Sequence, residues 1–124
     1  MKKKNTSLIG SEAEQLASDF LSVRGLKVIE RNFRSPVGEI DLIAKDGVTT
    51  VFVEVRFRKN LAFGTPAETI GYHKRRKIVS TALYYLQREK LLDSNPSRFD
   101  VVSVTLGKQG AQFDWIPNAF GEAG

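Results

Sequence analysis

Three carboxylates and one guanidinium lie in two short runs that are rich in β-branched residues: Glu39, Asp41, Glu54 and Arg56. Within each run the two charged residues are two apart, and residues two apart on a strand point to the same face of a sheet. Carboxylates crowded on one face repel each other. Mg²⁺ removes such repulsion, because it binds oxygen ligands, commonly one or two carboxylates with waters and a substrate phosphate. The spacing therefore predicts a metal-dependent site for phosphoryl-transfer chemistry.

A tight turn is expected to bring the two runs together. Asp46-Gly47 lies between them, and Asp-Gly between β-rich runs is a strong signal of a two-residue hairpin turn. With these two residues as the loop, the pairing count places Glu39 opposite Glu54. Asp41 then lies opposite Phe52. All the charged side chains share one face in this register, whereas a slip of one residue would separate Asp41 from Glu54 and remove the site.

The second run also predicts a central strand. Residues 51–55 are almost entirely apolar apart from Glu54, which is typical of a strand covered on both faces. Unpaired charge is rarely tolerated there, so a charge in that place indicates function. The alternative is a surface strand on which Glu54 and Arg56 form cross-strand ion pairs. The opposite face of the hairpin is predicted to be a core face, formed by Ile40, Leu42, Ala44, Val51, Val53 and Val55.

The remaining patterns predict one α/β domain in the order αβββαββ, a mixed sheet of about five strands with the two longer helices packed on it. Residues 1–7 are expected to form a disordered basic tail, residues 8–120 the domain, and residues 121–124 a C-terminal tail. The expected elements besides the hairpin are a helix over 11–24, strands over 26–34, 98–104 and 112–116, a short helical turn from Thr65, and a long helix over 72–90.

Glu14 has two interpretations. Ser11 followed three residues later by Glu14 fits a capping box, with Ser11 as the N-cap. Glu14 also shares a helical row with Ala17 and Leu21, which places it at the boundary of the core, where it can point toward the sheet.

A basic segment opens the long helix. Lys74 and Lys77 are neighbours on one helical face, and Arg75 lies between them in sequence. Cations are disfavoured at a helix N-terminus, where a phosphate is favoured, so contact with a nucleic-acid backbone is one interpretation and a solvated face is the other. Arg58 and Lys59 extend the same surface. The net charge of +5 and the pI of about 9.6 favour a polyanionic partner, although an indifferent basic surface fits them too.

Composition excludes several classes of site. The sequence contains no cysteine and a single histidine, His73, so disulfides, thiolate metal sites and multi-histidine zinc sites are excluded. No run is long and apolar enough to span a membrane, and the N-terminal lysines precede polar residues rather than the apolar stretch of a signal peptide. A cytoplasmic location is the expectation.

The hairpin, residues 38–44 and 51–56, resembles the YraN family of bacterial proteins. That family is related to the PD-(D/E)xK nuclease superfamily and is similar to archaeal Holliday-junction resolvases, so the resemblance implies a restriction-endonuclease-like fold. It extends from Gly10 to about Phe120. Supporting matches outside the hairpin are Gly10 with Glu14 and Ala17, Phe63-Gly64, the Lys74 region and residues 98–102.

The resemblance implies roles for the acidic residues. Asp41 matches the metal-binding aspartate, and Glu54 matches the acid of the (D/E)xK element. Val55 would contribute a backbone carbonyl ligand. Glu14 matches the glutamate that the first helix adds to resolvase-like sites, and Glu39 becomes an accessory acid.

Two departures from the superfamily pattern concern catalysis. Arg56 stands where the superfamily has lysine; an arginine keeps its charge, so it stabilises transition-state charge but cannot act as a general base. Ile40 stands where the superfamily has the proline before Asp41.

The expected function is therefore a Mg²⁺- or Mn²⁺-dependent endonuclease-like protein that acts on structured or branched DNA by phosphodiester hydrolysis. A non-catalytic nucleic-acid-binding module with the nuclease fold is the first alternative, and a protein-interaction subunit is the second. Resolvases pair two sites across a homodimer, so the resemblance to them implies a homodimer here too, but no dimer face stands out in the sequence.

Overall fold

The computed structural model describes residues 6–58, 70–92 and 94–121, with side chains from Gly10 onward. The described part has the expected order αβββαββ. Lys59 and the predicted turn from Thr65 lie outside these ranges. The elements are α1 (Thr6–Val23), β1 (Lys27–Ser35), β2 (Gly38–Asp46), β3 (Thr49–Arg58), α2 (Tyr72–Arg88), β4 (Ser97–Gly107) and β5 (Gly110–Phe120).

One five-stranded mixed sheet carries the fold, with its strands in the order β1-β2-β3-β4-β5. All neighbouring pairs are antiparallel except β3 and β4, which are parallel because the chain returns through α2 between them. The expected α/β class with a mixed sheet is confirmed, as is the central position of β3.

The two helices cover opposite faces of the sheet. The α1 face packs Ala17 and Leu21 against Val53 and Val102, and the α2 face packs Ile78 and its neighbours on the helix against the other side of the sheet. Since β3 contributes Val51 and Val53 to one core and Phe52 to the other, it is buried on both sides. No helix in the described ranges is long and apolar enough to cross a membrane.

The β2–β3 turn lies one residue later in the sequence than predicted. Asp46 pairs with Thr49, so the loop residues are Gly47 and Val48 rather than Asp46 and Gly47. Gly47 has φ +62° and Val48 does not have a positive φ. A glycine at the first of two central positions is typical of a type II′ turn, which needs positive φ only there. The register therefore moves by two residues, and this even shift leaves Leu42, Ala44, Val51 and Val53 on one core face, as predicted. The prediction for Ile40 is wrong, because Ile40 packs in the core on the other side of the sheet, with Ile43 and Phe52.

The first helix begins earlier than expected. It includes Thr6 and Ser7, which were assigned to the tail, and Ser11 lies inside it. A residue inside a helix cannot cap its N-terminus, because the N–H groups that need a cap belong to the first turn. The capping-box interpretation of Ser11 and Glu14 is therefore wrong. Residues 1–5 and 122–124 lie outside the described ranges, so the predicted tails there are not assessed.

The last strand is longer than expected and is tied down by a buried aspartate. Instead of ending at 116, β5 runs through Pro117, which an edge strand tolerates, to Phe120 opposite Phe99. Asp100 is fully buried and accepts hydrogen bonds from Asn118 N at 2.8 Å and Trp115 Nε1 at 3.0 Å. Arg98 also forms an ion pair with this aspartate, with its Nε 3.0 Å from Asp100 Oδ1.

Candidate functional site

The β2–β3 hairpin opens at its acidic residues. The last paired residues are Leu42 and Val53, so the next positions along the strands bring Asp41 opposite Glu54. The predicted pairing of Glu39 with Glu54 is wrong, because the turn is set one residue later. The correction brings the two acids of the predicted site closer in register than the sequence indicated.

Asp41 lies in the gap between the separating strands. Its Oδ2 accepts a hydrogen bond of 2.8 Å from the backbone N–H of Val55, across the end of the ladder. Burial raises the pKa of Asp41, and the charge of Glu39 adds to that rise. The Val55 hydrogen bond and the charge of Lys74 act in the opposite direction. Val55 thus contacts Asp41 through its N–H, and its predicted role as a carbonyl ligand stays a prediction.

Of the three acids, Glu54 lies in the surroundings that most disfavour its negative charge. Its side chain is 4% exposed, and its Oε2 has no hydrogen-bond partner among the described residues. Burial, reinforced by the negative charge of Asp41, raises the pKa of Glu54 to about 8. Lys74 opposes this shift, with its Nζ 3.6 Å from Glu54 Oε1. A carboxylate oxygen left without a partner in this environment indicates a place for a ligand.

The first helix adds a third acid. Burial and the charge of Asp41 raise the pKa of Glu14, which also hydrogen-bonds with Asp41 and with Asn32. Glu14 therefore points toward the sheet, as the second interpretation of its spacing required. Glu14, Asp41 and Glu54 form a row of acids that leads from α1 through the sheet to the start of α2.

Asn32 is a site residue that the sequence analysis missed. It has φ +53°, which is uncommon for a residue with a side chain and most tolerated by Asn and Asp. The pairing of β1 with β2 skips Asn32 and Asp41, between the pairs Arg31–Leu42 and Phe33–Ile40. The signal available in the sequence was an asparagine within a strand-like run, since asparagine is depleted in strands.

An open cleft of about 410 Å³ leads to this row of acids. Glu39 is exposed and lines it together with Glu14, so the accessory position expected for Glu39 is at the entrance. The other lining residues are Gly10, Ser11, Asn32 and Arg34.

A basic groove lies along the exposed side of α2. It has a volume of about 360 Å³ and is lined by Val37, His73, Arg76, Lys77 and Ser80. Of the predicted nucleic-acid contacts, Lys77 lies in this groove, whereas Lys74 contacts Glu54 instead.

The other predicted cations are distributed along β3 and α2. Arg56 and Arg58 have partly buried side chains, with Arg56 two residues beyond Glu54 on the same strand. Arg75 is partly buried, and its Nε has no hydrogen-bond partner within the described part of the chain. Lys59, as noted, lies outside the described residues.

The donor set fits a hard divalent cation better than a soft one. Among the described residues no three His, Cys, Asp or Glu side chains are arranged to hold a metal ion as they stand. Mg²⁺ requires less than that, because it commonly binds one or two carboxylates and completes its shell with water and phosphate oxygens. The unpartnered Oε2 of Glu54, opposite Asp41, provides oxygens of this kind.

Comparison with known proteins identifies a family. The profile described as "Uncharacterised protein family UPF0102" matches residues 13–104. A UPF0102 protein from Methylococcus capsulatus is 41% identical over 112 residues, covering 90% of this chain and 89% of the relative. One from Coxiella burnetii is 44% identical over 114 residues, covering 92% of each. One from Dictyoglomus turgidum is 41% identical over 118 residues, covering 94% and 99%.

Proposed function

Because this chain belongs to the family UPF0102, whose description names no activity, we propose its function from its own residues: a Mg²⁺- or Mn²⁺-dependent endonuclease of the PD-(D/E)xK type. Its substrate is structured or branched DNA, which it cleaves by hydrolysis of a phosphodiester. The observation that carries the proposal is the buried Glu54, opposite Asp41 and with an oxygen that lacks a partner. The resemblance of the hairpin to the bacterial YraN family supports this proposal, and the α/β fold that the resemblance implies is observed.

The cost of this arrangement supports a functional interpretation. Burying a carboxylate without a full set of partners is unfavourable, and placing a second carboxylate beside it is more so. The described packing compensates Glu54 only through Lys74 and the backbone of Asp41 and leaves its Oε2 without a partner, unlike Asp100, whose oxygens are bound by Arg98, Trp115 and Asn118. An arrangement that is unfavourable for folding and adjoins an open cleft is typical of an active site.

Each acid has a role in the proposed reaction. Asp41 and Glu54 would hold the cation, with Glu14 as a third ligand from α1 and the Val55 carbonyl as a further candidate. When bound, a divalent cation supplies polarisation of the phosphoryl oxygen and a lowered pKa of bound water. Glu39, at the entrance of the cleft, orients water or a ligand from there. Arg56 keeps its charge and stabilises the negative charge that develops on the phosphate, and it does not remove the proton.

The basic side chains would hold the substrate. Lys77, in the groove on α2 and three residues after Lys74, provides a phosphate contact, and Arg75 lies on the same helix. Arg58 and Lys59 continue the basic surface from the end of β3. Such contacts bind the backbone of any sequence, which suits an enzyme that selects DNA by its shape.

A cleavage assay tests the proposal. Linear, flapped and four-way DNA are incubated with the protein in Mg²⁺, in Mn²⁺ and in EDTA. Asp41→Asn and Glu54→Gln keep the side-chain size and are expected to lower cleavage by more than about 100-fold, the upper range for losing even an outer partner of a metal site. Asp114→Asn, an exposed acid on β5, is the matched control and should cut normally. Cleavage that continues in EDTA or survives both site variants would refute the assignment.

A non-catalytic nucleic-acid-binding module is the second candidate. The arginine at position 56, where the superfamily has lysine, favours it, because an arginine keeps its proton and cannot replace that lysine as a general base. This candidate predicts DNA binding in EDTA that weakens in Lys77→Ala, with no cleavage in any metal. Tight binding without turnover across all three DNA forms would select it over the endonuclease.

A further inference from the structure

The first turn of α2 presents its cations against the helix dipole. Lys74 lies within that turn, and Arg75, Arg76 and Lys77 follow it. The N-terminal end of a helix carries partial positive charge and disfavours cations, and Gly71 offers no side chain as a cap. A lysine held there is stabilised only if an anion lies nearby, and the described structure places Glu54 at that point.

The pair of Lys74 and Glu54 is unequal. The side chain of Glu54 is 4% exposed and fixed on the central strand, whereas that of Lys74 is 53% exposed and reaches the acid from the surface. Their charged atoms are 3.6 Å apart, which is an ion pair but too long for a good hydrogen bond. The flexible four-carbon stem of lysine allows its ammonium group to leave the acid for solvent, while Glu54 stays in place.

Lys74 and a divalent cation need the same oxygens. The ammonium group lies against Glu54 Oε1, and its charge also acts on Asp41. Two cations a few ångströms apart in a partly buried site repel strongly, so both cannot remain. We infer that Lys74 is the internal counter-ion of the Asp41–Glu54 pair and that a divalent cation binds only by displacing it.

This inference rests on the proposed metal site and adds a residue that the hairpin does not contain. In the metal-free protein the positive charge of Lys74 offsets the repulsion between the two acids. Because a metal ion must displace Lys74, this residue also sets the affinity for the metal. Once displaced, its ammonium group lies on the same helix turn as the basic groove, where it is free to contact a phosphate, as its sequence position predicted.

Titration calorimetry with Mn²⁺ alone, without DNA, tests the inference. Lys74→Gln is expected to bind Mn²⁺ about tenfold more tightly than the wild type, because one nearby positive charge is removed. Lys74→Arg keeps the charge and should bind like the wild type. Lys77→Gln is the matched control: it has the same change in net charge and lies on the same helix, but in the groove rather than against Glu54.

The outcomes separate this inference from the proposed function. If Lys74→Gln binds Mn²⁺ as weakly as the wild type, or is tightened no more than Lys77→Gln, the role of Lys74 is refuted and the metal site remains. If neither the wild type nor any of the variants binds Mn²⁺, both the role of Lys74 and the proposed metal site are refuted. Adding Glu54→Gln to Lys74→Gln should abolish the tight binding, and retention of that binding would place the ion elsewhere and refute the inference.

Discussion

Glu54 is held in surroundings that disfavour its own charge. It lies on the central strand beside Asp41, with one oxygen unpartnered, and its charge is compensated only by a half-exposed lysine and a backbone hydrogen bond from Asp41. The contrast with Asp100 is instructive, since that acid is equally buried but fully hydrogen-bonded and its surroundings tie β4 to β5. The two buried acids of this sheet therefore differ in role: Asp100 stabilises the fold, whereas Glu54 keeps an oxygen without a hydrogen-bond partner.

The raised pKa of Glu54 makes stability depend on pH. Its pKa is about 8 in the folded protein against 4.5 for the free side chain, so the folded state binds more protons between these values and stability falls as pH rises through them. Glu54→Gln lacks this loss. In EDTA, urea unfolding should give nearly equal stability for variant and wild type at pH 4.5, with the variant gaining at most about 1.4 kcal/mol per pH unit up to pH 8.

The exposed acid Asp114 supplies the control for that measurement. Asp114→Asn removes a carboxylate from β5 without touching the site, so its stability should follow that of the wild type across the range. If the stabilities of Glu54→Gln and the wild type change in parallel with pH, folding does not disfavour the charged form of Glu54, and the raised pKa of Glu54 is refuted.

At the level of elements, the hairpin was the most predictable part of the site. Alternation with a period of two assigned the face of Leu42 and Val53 correctly although the register was off by two, and Asp41 and Glu54 are the next positions beyond that pair. Alternation failed for Ile40, which packs on the other side of the sheet. The exact pairing depended on which residue of the turn has positive φ, and Asp46-Gly47 and Gly47-Val48 both fit the local sequence. Glu14 was found through its helical row, although the start of its helix was not.

What the sequence did not predict depends on contacts between distant segments. Lys74 meets Glu54 because the chain returns through α2 and docks the start of that helix beside β3, and no spacing within either element encodes this. Asn32 joins the site through a left-handed residue that interrupts the β1–β2 pairing, which strand patterns do not reveal. Family resemblance supplied roles for the acids but none for these two residues.

The start of β2 is positioned by a close approach to α2. A Cβ on Gly38 would lie 2.7 Å from Thr81 Oγ1, and Thr81 is fully buried and donates a 2.7 Å hydrogen bond to Lys77 O, so it cannot move aside easily. Gly38→Ala should therefore lower stability by about 1–3 kcal/mol, as expected for overpacking. Urea unfolding measures this.

A double-mutant cycle separates overpacking from a backbone effect. Thr81→Ala removes the oxygen that the new methyl group would meet, so Gly38→Ala should cost clearly less in a Thr81→Ala background. An equal cost in both backgrounds would show that the close approach is not the cause. Gly47→Ala offers a comparison, because a Cβ there meets nothing within 4 Å and only its φ of +62° is unfavourable.

For the whole molecule, the distribution of charge matters more than its total. The net charge of +5 is modest, but Glu54 and Asp100 are buried in the sheet while Arg76 and Lys77 line a groove on the outer side of α2. We therefore expect DNA binding in EDTA to weaken steeply with salt, since each phosphate contact releases counterions.

The groove, rather than the net charge, should set that salt dependence. Replacing both Arg76 and Lys77 with glutamine is expected to reduce the slope of log K against log salt by up to about 2, at roughly 0.9 per lost phosphate contact. Fluorescence anisotropy with a labelled four-way junction at several salt concentrations measures it. Lys27→Gln with Lys45→Gln removes the same charge from the far end of the β1–β2 ladder, where Lys27 pairs with Lys45, and should leave the slope nearly unchanged. If both pairs of substitutions lower the slope equally, the protein attracts DNA through its overall charge, and the groove on α2 has no special part in binding.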